Sequence, residues 1–139
     1  MKKLFFLFIL SLNSFLSFAQ ANDSVKVYRV GIFANLYLDS SFIGTNYKFT
    51  HQMPKHILPG LDFVQGALMA VDSLKTDSNL EVKIYDLRSA DQNLNTLWAN
   101  NSFDSLDLMI AAVSGNEYRM MADIALQKKI PFVSATLPN

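Results

Sequence analysis

Residues 106–113 form an almost unbroken apolar run, interrupted only by Asp107, and Ser114, Gly115, Asn116 and Glu117 follow it directly. A strand that is apolar on both alternating faces needs cover on both, which a parallel sheet between helices provides. The sudden change to Ser114, with Glu117 three residues on, has the form of a capping box, the side-chain pair that meets free N–H groups at a helix start. This stretch therefore predicts a buried strand, a turn and a helix in succession, the repeating unit of an α/β fold.

The rest of the chain repeats that alternation. Residues 27–36, with Val27, Tyr28, Val30, Ile32 and Phe33, predict a first strand. Residues 61–75 predict a helix on the spacing of Val64, Ala67, Leu68, Val71 and Leu74, ended by Asp77, Ser78 and Asn79. Gly66 is expected to let that helix pack closely on the sheet. Residues 80–85 alternate Leu80, Val82 and Ile84 against Glu81, Lys83 and Tyr85, a second strand. Leu94, Leu97 and Trp98 mark a short helix within 91–101. The helix after Ser114 carries Tyr118, Met121, Ala122, Ala125 and Leu126 on one stripe, with Lys128 and Lys129 where its dipole favours cations. Residues 130–133, with Pro131 near their start, predict a fourth strand. Residues 39–60 hold no sustained period and are expected to form a long irregular loop punctuated by Gly44, Pro54, Pro59 and Gly60.

Composition removes several function classes. The 12 lysines and arginines balance the 12 aspartates and glutamates, so nothing in the net charge suits a nucleic-acid partner. With no cysteine, disulfides, thiolate metal sites and thiol catalysis are excluded together. No phosphate-binding glycine loop or dinucleotide fingerprint is present, and no cofactor is expected. At the amino terminus, Lys2 and Lys3 precede the apolar residues 4–12, and Ser17-Phe18-Ala19 supplies small residues at signal-peptidase spacing. Residues 1–19 are expected to be a secretory signal peptide cleaved before Gln20, leaving residues 20–139 as one domain in the periplasm or outside the cell.

Strand, helix, strand, helix, strand, helix, strand implies a parallel, Rossmann-like sheet with right-handed crossovers and helices on both faces. All strands then point one way, and the residues just after them share one edge, where open α/β sheets bind ligands. Those residues are Asn35, Asp86, Ser114 with Gly115, and Ser134, Ala135 and Thr136. Their hydroxyls, amide, carboxylate and helix amino terminus suit a small polar ligand. Each also has a purely structural reading: Ser114 as a helix cap, Ser134 and Thr136 bonding their own backbone, Asp86 forming a turn.

The run from Pro59 through Gln65, Gly66 and Ala67 to Leu74 resembles the first helix of type I periplasmic binding proteins, where a Gln-Gly-Ala motif is followed by Ala and Asp. Asp107–Ile110 through Ser114 and Gly115, and Lys129 through Pro131 to Thr136, resemble that family's third and fourth strands with their loops. The likeness is to the branched-chain amino acid receptor group and spans residues 27–139. It implies an amino-terminal lobe of a ligand-binding protein, not an enzyme, with a small polar ligand such as an amino acid. In amino-acid-binding members the loops after the third and fourth strands hold the ligand, which implicates Ser114 and Gly115 in one and Ser134, Ala135 and Thr136 in the other. Where that group often carries Gly-Pro at the end of the third strand, this chain has Ala112 and Val113. The resemblance also places residue 139 just after the first lobe's fourth strand, so the lobe is expected to be incomplete. A membrane transporter or a cell-wall component is the expected larger partner.

Two other classes remain open. An interaction module of a cell-envelope protein linked to peptidoglycan binding would use Phe42, Tyr47 and Phe49 of the irregular loop. A small secreted α/β hydrolase would use Ser134 as nucleophile, but the only candidate bases are His51 and His56, with no serine elbow motif nearby.

Overall fold

The computed structural model describes residues 26–50, 52–74 and 79–136. In chain order its elements are β1 (Tyr28–Ala34), α1 (Leu38–Ser41), β2 (Phe42–Ile43), β3 (Asn46–Tyr47), α2 (Leu58–Leu74), β4 (Leu80–Asp86), α3 (Leu94–Ala99), β5 (Leu108–Ala112), α4 (Gly115–Lys128) and β6 (Phe132–Ser134). The long strands form one parallel sheet in the order β4-β1-β5-β6, and the helices between them make the chain an α/β, Rossmann-like protein. Residues 1–19, expected to be a signal peptide, and Lys75, Asp77 and Ser78, where the helix was expected to end, lie outside the described residues.

Strand order explains why both faces are covered. From β1 the chain steps outward to β4, then returns past β1 to reach β5. Crossovers that keep one hand while reversing direction must put their helices on opposite faces. Accordingly Val30, Ile32 and Ala34 of β1 pack with Val64 of α2, joined by Val82, Ile84, Leu108 and Ile110. On the other face Phe33, Met109 and Ala111 pack with Leu94 and Leu97 of α3 and Met121, Ile124 and Ala125 of α4. β1 is thus buried on both faces and paired on both edges, which its β-branched sequence suits.

Register aligns the side chains in rows. Ile32 lies opposite Ile84 and Ile110, and Phe33 lies between Tyr85 and Ala111. The Phe33 ring is fully buried, stacking on Tyr85 at 4.7 Å and on Phe103 at 5.7 Å. Burial of one such ring contributes about 1.5–3 kcal/mol. The outer edge of β4 carries Glu81 between Arg29 at 3.1 Å and Lys83 at 3.4 Å, charges that discourage further strand pairing there.

The structure corrects several expectations. Residues 39–60 are not one loop: α1 fills the first turn, β2 and β3 form a hairpin with Phe42 against Tyr47, and α2 begins at Leu58. Pro59 and Gly60 lie inside the first turn of α2, where proline's missing N–H costs nothing. The buried stripe is narrower than the apolar one, since Leu68, Leu74 and Leu126 are exposed and Ile124 takes the inward position on α4. Lys129 ends α4 in the left-handed conformation, with Ile130 N–H bonding Ala125 O at 2.9 Å. β6 begins after Pro131, at Phe132.

Gly66 does not provide close packing, because a Cβ there would meet nothing within 4 Å. Gly60 does: a Cβ on it would lie 2.3 Å from the carbonyl oxygen of Asn35. Helix α2 therefore starts in direct contact with the exit of β1. Two substitutions should move stability in opposite directions in denaturant unfolding. Gly66→Ala should stabilise by about 0.5–1 kcal/mol through helix propensity, while Gly60→Ala should destabilise by about 1–3 kcal/mol by forcing the helix off Asn35.

Candidate functional site

At the carboxyl end of β1 the chain turns sharply, with Tyr37 in the left-handed region at φ 58°. A bulky residue costs roughly 1 kcal/mol there, so something must hold it. Asp86, at the end of β4 and only 2% exposed, supplies that hold. Its Oδ1 accepts the N–H groups of Leu36 at 2.9 Å, Tyr37 at 3.2 Å and Arg88 at 3.0 Å, and its Oδ2 accepts that of Leu38 at 2.8 Å. A buried carboxylate is tolerated because backbone donors replace its hydration. A second aspartate ties the same two exits from outside: Asp39 Oδ2 accepts Ala90 N–H at 3.0 Å and the Ser89 hydroxyl at 2.8 Å.

The loops after β5 and β6 form the facing wall. Ser114 has the extended backbone of an N-cap, but its side chain makes no capping bond. The capping box is not formed because Glu117 is engaged elsewhere, with Oε1 2.9 Å from Arg88 Nη2 and Oε2 accepting Asn35 Nδ2 at 3.2 Å. Gly115 takes φ +60°, which a side chain would resist. Beyond β6, the Ala135 N–H bonds Ala111 O at 2.8 Å and the Thr136 hydroxyl donates to Val113 O. The Ser134 hydroxyl donates to Thr136 O at 2.7 Å, closing a turn on its own backbone.

Between these walls lies a cleft of about 330 Å³, near the lower limit for small-molecule sites. It sits where the strand order reverses, between the exits of β1 and β5. Of the sequence-predicted residues, Asn35, Ser114, Ala135 and Thr136 meet on its lining. Ser134 lies behind Thr136, and Gly115 adjoins Ser114 without lining the cleft. Asp86 does not line the cleft and has both oxygens bound to backbone amides. His56, Ala112 and Val113 also line it, and the lining is completed by Tyr37, Pro59, Gly60 and Phe63, which the sequence reading missed. Their one signal was Pro59-Gly60, which marks a helix start as readily as a loop. His56 is an exposed loop histidine, and its ring meets Tyr37 edge-on at 4.8 Å.

A larger depression of about 460 Å³ lies at the opposite edge of the sheet, beside Asp107 and Pro131 at the amino ends of β5 and β6. Among the described residues no cluster of His, Asp and Glu could hold a metal ion, and no helix is long and apolar enough to cross a membrane. Comparison of the chain with protein-family models, curated proteins and solved structures finds no match.

Two outcomes test the aspartates. Asp86→Ala leaves buried amides without an acceptor and should cost about 2–4 kcal/mol in chemical unfolding, as loss of bonds to a charged group does. Asp39 is held below its ordinary carboxyl value of 3.8, chiefly by the Ala90 amide and then by the Ser89 hydroxyl. Its folded value lies below the unfolded one, so its tether is complete at neutral pH and fades as pH falls through the aspartate range. An NMR titration should find the Asp39 midpoint below 3.8, and Ser89→Ala should raise it part of the way back.

Proposed function

We propose that this chain is the amino-terminal lobe of a type I periplasmic binding protein, exported to take up or sense a small polar ligand. The observation that carries this reading is the cleft at the reversal of strand order, walled by the exits of β1, β5 and β6. Ligands of open α/β sheets bind at such switch points, because adjacent loops diverge there and leave a crevice. Support also comes from the loops after β5 and β6, which contribute Ser114, Ala135 and Thr136 to one wall. Those are the loops through which the resembling family holds its ligands.

Binding fits the side chains better than hydrolysis. The Ser134 hydroxyl is committed to Thr136, and His56 stands against Tyr37, so these two are engaged separately, while His51 lies outside the described residues. Export rests on Lys2, Lys3 and the apolar residues that follow them. Expression in a Gram-negative host should yield a mature chain beginning at Gln20 outside the cytoplasm, read by mass spectrometry of cell fractions. An intact leader in the cytoplasmic fraction contradicts export.

Ser114→Trp tests the cleft itself. The exposed Ser114 side chain makes no capping bond, so stability should change by no more than about 0.5 kcal/mol. The indole should fill the cleft and weaken ligand binding by at least about tenfold. A ligand bound equally well by Ser114→Trp and the parent protein binds elsewhere.

A further inference from the structure

We infer that the hairpin of β2 and β3 docks on an anionic lipid surface, its apolar tip entering the headgroup layer while lysines of the same segment meet lipid phosphates. This is independent of the cleft and of any ligand there. Three features carry it: what the hairpin exposes, how it projects, and the charge of the chain around it.

Phe42, Ile43 and Tyr47 are all exposed, Ile43 most of all at 70%, and so is Leu38 of α1, which leads into the hairpin. Gly44 turns the hairpin at φ +60°, and a Cβ there would meet nothing within 4 Å. The tip therefore stands in open solvent. Apolar side chains gathered on a projection mark a contact surface, where single ones scattered over a fold do not. The rings of Phe42, Tyr47 and Phe49 meet in series at 5.4 Å each, and aromatic groups are favoured at the headgroup level of a bilayer.

The balanced net charge of the chain is unevenly spread. Residues 40–61 hold Lys48 and Lys55 and no Asp or Glu. Among the described residues neither lysine is paired with a carboxylate. Lys48 follows Tyr47 directly, and its Nζ donates to the carbonyl of Ser40 at 2.8 Å, which holds the side chain but leaves its charge unmatched. Lys55 is exposed and precedes His56, whose ring meets Tyr37 at the amino end of α1. Both cations thus belong to the segment that carries the tip.

Lipid fits this surface better than a protein partner does. A hairpin spanning residues 42–47 is far short of the roughly 20–30 residues a side that a stable protein interface takes. A bilayer needs no matching pocket. A small apolar insertion and nearby positive charge add up on one fluid, anionic surface, giving a reversible attachment that neither would give alone.

Flotation of the mature chain with vesicles tests this, because lipid-bound protein rises whereas self-associated protein sinks. With vesicles of equal parts phosphatidylcholine and phosphatidylglycerol the chain should float. On phosphatidylcholine alone, or on the anionic vesicles in high salt, binding should fall at least about tenfold. Ile43→Ser and Lys55→Gln should each weaken binding about fivefold or more. Both side chains are exposed, so the thermal unfolding midpoint should not move. Parent and variants share one amino terminus, so lipid contact by that segment would be common to all. No flotation on anionic vesicles, or equal flotation on neutral ones, overturns the proposal. Undiminished binding of either variant does so too. Retention on polyglutamate without flotation overturns it in favour of an acidic protein partner.

Discussion

Parallel strands end with their backbone groups facing one edge, and in this protein the donors freed where β1 ends converge on the carboxylate of Asp86. That anchor lets the chain leave β1 through Tyr37 in the left-handed region, which sets the wall of the cleft. It also fixes the carbonyl of Asn35, against which Gly60 seats the start of α2. The hinge between strand and helix thus depends on one side chain at the end of the neighbouring strand. Hydrogen bonds from several amides to one charged acceptor stabilise more than the same number to neutral groups.

The sheet was legible because each long strand carries its own pattern. Val30, Ile32 and Phe33 mark β1, the alternation around Val82 marks β4, and Met109 to Ala111 mark β5. The parallel direction of the strands followed from the alternation with helices, though their order in the sheet did not, and the shared edge placed Asn35, Ser114, Ala135 and Thr136 together. What escaped is tertiary. Strands of two residues such as β2 and β3 are too short to have a period. Gly60 and Gly66 are indistinguishable as letters, and only the Asn35 carbonyl shows which one cannot carry a side chain. The capping box failed because Arg88, remote in sequence, draws Glu117 away from the helix start. Asp86 satisfied the position rule for a ligand residue, yet nothing local revealed that its oxygens would turn inward.

The hairpin of β2 and β3 stands apart from the sheet and shows its apolar side chains to solvent: Phe42, Ile43 and Tyr47 are all exposed. Two strands alone are marginal. Ring contacts between Phe42 and Tyr47 at 5.4 Å, and between Tyr47 and Phe49 at 5.4 Å, supply part of what sheet pairing would otherwise give. Lys48 ties the hairpin back through its bond to Ser40 O at 2.8 Å.

The groups that shape the loops are separate from several of the groups that face the cleft. Asp86, Asp39 and the turn between Ser134 and Thr136 hold the backbone from behind. The side chains of Ser114 and Ala135 face the cleft without a capping or turn bond that the fold depends on. Evolution can therefore exchange such wall positions at little cost to folding, since substitutions outside packed or bonded sites are mostly near neutral. A lineage built on this scaffold is free to alter the chemistry of the cleft by changing a few wall residues, while Asp86 and Gly60 keep the frame constant.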